Sequence, residues 1–173
     1  MDEFPANTFY RLLPRLMDFM FWGDRRVMAA ACGIDGQPYY AARDFSAGSL
    51  HKLLVHAMAA QWVWLSRWRG AANYRLSDVP EYPTRESLLA QWPVVHEEFA
   101  AFMHAQRAET LEALCTYRNS RGDSVTLPLG EQIVHCLDHG TYHRGQINSM
   151  IKLAGGKPVS LNYYEFSLEN PVR

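Results

Sequence analysis

The stretch HCLDHGTYHRGQ places His135, His139 and His143 at intervals of four residues. On an α-helix, residues four apart are neighbours on one face. Neutral imidazole is the commonest protein ligand for zinc, copper, nickel and iron, so a helical His pair at this spacing points to metal chemistry. Residues 135 and 143 would lie ~12 Å apart along the helix axis. Metal–nitrogen bonds are only ~2 Å long, so the three histidines do not share one tetrahedral ion. One pair must be the working pair, and another element must complete the site.

A helical wheel selects the pair. At about 100° per residue, Leu129, Ile133, Cys136, Gly140, Ile147, Met150, Ile151 and Ala154 fall on one apolar face. His143 lies inside that face and His139 on its edge, whereas His135 lies farther round, near Glu131, Tyr142 and Gln146. Two core-facing histidines need partners, because burying unpaired polar groups is costly. Either they hydrogen-bond to neighbours in a wet cavity, or they bind a metal and need a third ligand from His51, His56, His96 or His104. His56 sits mid-helix beside Leu53 and Ala60, at the border of its apolar face. His51 points the other way, and His96 and His104 follow charged or polar neighbours, as solvated surface histidines do. Periodicity alone does not decide between them.

HCLDH also has the outline of an inverted zinc-protease motif, in which an acid activates water. Here the acid is Asp138, one carbon shorter than the usual Glu and facing away from the core, so that reading is set aside. Asp138 is expected to be solvated or paired at the surface with Arg144 or another base. Cys136 is expected to pack as a small hydrophobe rather than serve as a fourth ligand.

Four long helices are expected to position these groups. The first spans roughly 8–32, with Pro14 either kinking it or delaying its start. The second spans about 49–69, capped by Ser49 or Ser46 and ended by Gly70. The third begins after Pro83 with Thr84 as cap, and runs to about Gln106 with a possible kink at Pro93. The fourth follows Pro128 and ends near Gly155 and Gly156. Between the last two, LCTY and SVTL flank SRGD and read as a small hairpin. The tail VSLNYYEFSLENPVR is expected to pack irregularly over the bundle. The fold class is therefore all-α, a four-helix bundle in one domain over residues 1–173, with connections long enough for a crossover.

The composition suits a folded bundle: of 173 residues, 48% are hydrophobic and 13% aromatic, with a net charge of −1. Nothing is basic enough for a general nucleic-acid binder, and no stretch reaches the ~18 apolar residues of a membrane span. MDEFPANTFY lacks the basic and apolar regions of a signal peptide, and the three cysteines are scattered without a CxxC. A reduced, cytoplasmic protein is expected.

Three stretches together resemble the DinB/YfiT-like family of metal-dependent enzymes. LLVHAMAAQWVWLSRWRG is similar to the family's second-helix signature, TYRNSRGDSVTLPL to its hairpin, and HCLDHGTYHRGQI to its H-x-x-x-H-R-G-Q signature. The resemblance covers roughly residues 8–165. It implies a four-helix bundle with a crossover, and a divalent metal, nickel or zinc, held by His56, His139 and His143. One departure is Asp24, where relatives often carry Asn. Characterised relatives include thiol-dependent S-transferases and an isomerase that use bacillithiol, mycothiol or glutathione. The resemblance thus implies a small thiol as cosubstrate, activated as thiolate to attack an electrophile. A metal hydrolase using bound hydroxide and a non-catalytic metal- or ligand-binding bundle are the alternatives.

Around the metal, His135, Arg144 and Gln146 could orient ligands or serve as surface and salt-bridging residues. Trp62, Trp64 and Trp68 read as core or interface. The site is expected near one end of the bundle, rimmed by Tyr117, Arg118 and Asn119 from the hairpin and by Tyr163 and Tyr164 from the tail. A small-molecule substrate is expected. Relatives are often dimeric, and five tryptophans exceed what a small bundle must bury, so a homodimer is expected.

Overall fold

The computed structural model describes residues 6–172, with side chains from residue 11 onward. Helix α1 (Ala6–Cys32) runs continuously through Pro14 and is followed by a short α2 (Gly36–Tyr40). Helix α3 (Leu50–Trp68) starts where the Ser49 hydroxyl accepts the Lys52 N–H at 3.1 Å. It ends before Gly70, whose φ of 105° suits a residue without a Cβ. A 3-10 turn (Leu76–Asp78) precedes α4 (Arg85–His104), which continues through Pro93. Thr84 and Ser87 cap α4 reciprocally, each hydroxyl accepting the other's backbone N–H.

A short α5 (Ala108–Glu112) leads into strands β1 (Leu114–Arg118) and β2 (Ser124–Pro128). They pair antiparallel with Thr116 opposite Thr126, and the two hydroxyls bond at 2.8 Å. The hairpin's loop closes on Asn119, whose Oδ1 accepts the N–H groups of Arg121 and Asp123 at 2.9 Å. Helix α6 (Leu129–Leu153) follows directly. Its buried Gln132 donates to the carbonyls of Cys115 and Leu127, and accepts from Trp68 Nε1, so the hairpin is tied to α6 and α3.

The tail differs from expectation. Residues Tyr163–Glu169 form helix α7 rather than an irregular strap. Its buried Phe166 packs with Phe19 and Trp22 of α1, and Trp22 Nε1 donates to Glu169 at 2.7 Å. The seven-residue helix turns Tyr163 and Phe166, three residues apart, to the same side, and both pack on Phe19.

The long helices form a ring in which α6 packs on α1 and α3, and α4 packs on the same two from the other side. Consecutive long helices α1 and α3 are therefore diagonal, as are α4 and α6, and the connections between them cross the bundle. The wheel's apolar face on α6 is buried throughout, from Leu129 and Ile133 to Met150 and Ile151. The core falls into two clusters, one around Met17, Phe99 and Ile133, the other around Val27, Leu53, Trp92 and Ile147. Between them α1, α3, α4 and α6 place Asp24, Gln61, His96 and Arg144, a polar layer at mid-height.

Candidate metal centre

Helix α6 turns His139 and His143 to the same side, as a four-residue spacing requires, and α3 packs beside it to bring His56 against both. The Nε2 atom of His143 lies 3.2 Å from Nε2 of His56 and 3.0 Å from Nε2 of His139. One ligand nitrogen from each of the three lies within 4.8 Å of the others. The rings crowd as well, with centroids 4.5 Å apart for His56 and His143, and 4.2 Å for His139 and His143. The cluster sits beside the mid-height polar layer rather than near one end of the bundle, because residues 139–143 fall between the two apolar clusters that α6 joins.

A hydrogen bond orients His143. Nδ1 of His143 lies 2.8 Å from Oε1 of Gln146, an oxygen that only accepts, so the proton sits on Nδ1 and Nε2 keeps its lone pair. Gln146 is held in turn by the Ser46 hydroxyl at 3.0 Å and by its own bond to the Tyr142 hydroxyl at 2.9 Å. Burial pushes the pKa of all three histidines down. His139 falls furthest, to about 4, through burial and then the neighbouring His143, His56 and His135. For His143 the Gln146 bond acts the other way and opposes part of the burial effect. At neutral pH the three rings are uncharged, the form that binds a cation.

These residues fit a divalent ion. Nitrogens bound at ~2.05 Å and a tetrahedral angle would be about 3.3 Å apart. The two short separations here, 3.0 and 3.2 Å, are close to that spacing. Three neutral imidazoles would also leave the ion its charge and open positions.

The cluster opens onto a cavity of about 630 Å³, lined by His56 and His139 and by Trp64, Tyr117 and His135. Tyr117 meets Trp64 edge to face at 4.8 Å, and both walls are set by packing. His135 is exposed and stands off the trio, its ring 5.2 Å from Trp64 and 6.3 Å from His139. Adjacent strand residues point to opposite faces, so Arg118 turns away from the cavity and donates to the Gly122 carbonyl at 2.8 Å. Asn119 does line it. The tail does not reach it, contrary to expectation: Tyr163 packs on Phe19 at 5.2 Å, and Tyr164 is exposed. A second cavity of about 580 Å³ shares His56 and is otherwise mostly apolar, with Val55, Val79 and Pro80.

A model of the DinB family matches residues 11–170. The chain belongs to the DinB family. It is also 20% identical over 156 residues to "Protein DinB" of Bacillus subtilis (strain 168), an alignment covering 86% of this chain and 90% of that protein. No helix among the described residues is long and apolar enough to cross a membrane.

In this DinB-family chain a second polar cluster adjoins the first, and one of its members, His96, departs from expectation. Arg144 pairs with buried Asp24 at 3.1 Å, not with Asp138, which is exposed. His96 is buried rather than solvated, its Nε2 3.1 Å from Asp24 and its ring stacked on Phe21 at 4.2 Å. Gln61 donates to Asp24 at 2.7 Å and accepts from Trp92 Nε1 at 3.1 Å. Burial raises the Asp24 pKa, but the His96 bond and the Arg144 charge outweigh it and hold the carboxyl below its usual range. Gly23 and Gly140 make room for the guanidinium, since a Cβ at either would meet it at 2.8 or 3.1 Å.

The signal for this second cluster was present in the sequence. Asp24 is flanked at three and four residues by Met20, Phe21, Val27 and Met28, all core residues. His96 is similarly flanked by Trp92 and Phe99. An acid and a histidine inside apolar stripes of different helices are candidates to pair. His51 is buried too, bonded to the Tyr39 hydroxyl and the Tyr82 carbonyl. Cys136 is buried in the core, where burial pushes its thiol pKa up, unlike an activated ligand.

Proposed function

We propose that this chain is a divalent-metal-dependent enzyme whose ion is held by His56, His139 and His143, and that it transfers a low-molecular-weight thiol to an electrophile. The observation that carries the reading is the convergence of three uncharged imidazole nitrogens on one point beside an open cavity. Membership of the DinB family supports the same reading. Nickel or zinc suits an all-nitrogen set. When bound, such an ion supplies the positive charge that favours the thiolate over the thiol at neutral pH.

The chain's own residues supply the rest. Gln146 fixes the His143 tautomer, so a lone pair faces the ion position. Trp64 and Tyr117 give the cavity a firm aromatic wall that restricts water next to a reacting sulfur. His135 is the exposed imidazole at that wall and would be the titratable group nearest to hand for a proton released there.

Purified protein should carry about one ion per chain. It should accelerate addition of a small thiol to monochlorobimane, lose that rate on chelation, and regain it with nickel or zinc. Equal rates with and without metal across glutathione, bacillithiol and mycothiol would exclude the transferase. Metal-dependent ester or amide hydrolysis in the same preparation would point to the hydroxide-based alternative instead.

We further propose that the chain forms a homodimer. The five tryptophans do not support this, since all are buried or half-buried within the chain. Support comes from the exposed apolar residues Leu12, Leu168 and Val172. Light scattering that gives a monomer mass at tens of micromolar would overturn it.

A further inference from the structure

The cavity beside the three histidines has a marked charge asymmetry. Arg67, Arg75 and Arg121 line it, and no carboxylate is among its described lining residues. Arg67 is the innermost of the three and half-buried. Its guanidinium carbon lies 5.1 Å from the ring centroids of both Trp64 and Tyr117. Its Nε donates to the Tyr74 carbonyl at 3.0 Å, which fixes the fork without using its Nη edge. Two aromatic faces and a backbone carbonyl therefore hold a cation in place at the wall of a cavity that contains no acid. Arg121 is different: it is exposed at the rim and near Asp123, at 3.8 Å.

The spacing along α3 gives the dimension of an occupant. Arg67 is eleven residues after His56, which is about 16 Å along the helix axis, and Trp64 lies between them. A cavity of about 630 Å³ falls within the range of small-molecule sites. A ligand that touches both the histidines and the arginines must be elongated, with an apolar or planar middle against Trp64 and Tyr117.

We propose that this cavity binds an elongated small organic anion, its carboxylate or phosphate held by Arg67 and Arg75 and its other end directed at His56 and His139. Planar guanidinium forks suit both oxyanions, and the aromatic contacts keep Arg67 preorganised for either. The inference deepens the proposed function by assigning the chemical class of one substrate, and it rests on that reading only for what happens at the histidine end. The apolar second cavity on the far side of His56 lacks this arginine set, so the two sides of that residue have different chemical preferences.

The test is calorimetric titration of the metal-loaded protein with three probes of matched shape: 5-phenylvalerate, 4-phenylbutyl phosphate and the uncharged 5-phenylvaleramide. At least one anion should bind saturably, and the amide about tenfold more weakly or worse. The stronger of the two anions identifies the headgroup. Arg67→Gln and Arg75→Gln should each weaken anion binding about tenfold while leaving the amide unchanged. Arg75 is exposed and its replacement leaves the packed wall intact, so a fold defect in Arg67→Gln does not remove the test. The inference is overturned by equal binding of acid and amide, by wild-type anion affinity in both variants, or by no saturable binding of either anion at millimolar concentration. Metal content measured on the same samples separates this from the metal assignment: a full complement of ion with no anion preference sinks the cavity inference alone.

Discussion

His143 and Arg144 are consecutive on α6, yet they enter two polar clusters with opposite electrostatics. Arg144 joins a closed set with Asp24, His96 and Gln61, in which charge is balanced and each polar group meets a partner. His143 joins an open set with His56 and His139, in which three uncharged imidazoles crowd together with no acid among them. A successive residue is turned by about 100°, which is enough to send the two side chains to different neighbours. The closed cluster resembles a structural element that ties α1, α3, α4 and α6 at mid-height. In the open cluster the Nε2 lone pair of His143 faces two further imidazole nitrogens with no acid among them, the condition for binding something else. Buried polar groups indicate a binding site when their hydrogen-bonding capacity is unspent, and not simply because they are buried.

The comparison can be broken most severely at Asp24. Asp24→Ala leaves the Arg144 guanidinium buried without its counter-charge, and should cost about 3–5 kcal/mol of stability. Urea unfolding measures it. Asp24→Asn retains an oxygen acceptor and should cost less than Ala. A loss in Asp24→Ala below that of an ordinary surface substitution would mean the closed cluster is not a structural tie.

Removal of a ligand should have the converse profile. His139→Ala should lose most of the metal by elemental analysis while the metal-free protein unfolds near the wild-type midpoint. His135→Ala should keep wild-type stoichiometry. Full metal retention in His139→Ala, or loss in His135→Ala, would reassign the site. Gln146→Ala tests the tautomer more gently, since His143 stays in place but loses its orienting partner. Its metal affinity should drop about 10–100-fold, read by competition with a chelator, with little change in fold.

The smallest effect separates the clusters by pH. His139 has a folded pKa of about 4 against an ordinary 6.5, so the unfolded chain takes up a proton first as pH falls. Stability of the metal-free protein should therefore decline from pH 6.5 toward 4, as the unfolded state binds more protons than the folded one. His56 and His143 are shifted in the same direction and add to the decline. Asp24 is lowered from 3.8, so its contribution is intact above that value and fades only below it. Thermal melts of metal-free wild type and His139→Ala between pH 7 and 4 should show the shallower slope in the variant. Parallel slopes would remove the trio from the pH response.

The sequence made one side of the comparison legible and hid much of the other. The His139–His143 pair follows from spacing on one helix, and Ser49 and Thr84 act as the caps their side chains suggest. The expectation of a solvated His96 failed because the polarity of neighbours in sequence says little about a helix face, and His96 lies in the apolar stripe of Trp92, Val95 and Phe99. The expected tail rim failed because Phe166 had a better apolar partner in Phe19 and Trp22.

What the sequence determined alone is therefore whatever one element's own periodicity dictates. That includes the extents of the long helices, the hairpin between the last two, the apolar face of α6, and the turn of two histidines to one side. Backbone geometry repeats every 3.6 residues in a helix and every two in a strand, so these features need no knowledge of a neighbour. The tertiary structure decided what periodicity leaves free. It brought His56 to the pair across 87 residues of chain, and Asp24 to Arg144 across 120. It also chose Tyr117 over Arg118 for the cavity wall and folded the tail onto α1. The physical reason is that the rotation of one helix about its axis is set by all the apolar faces it must cover together, and a border residue such as His56 falls inside or outside only when its neighbours are in place.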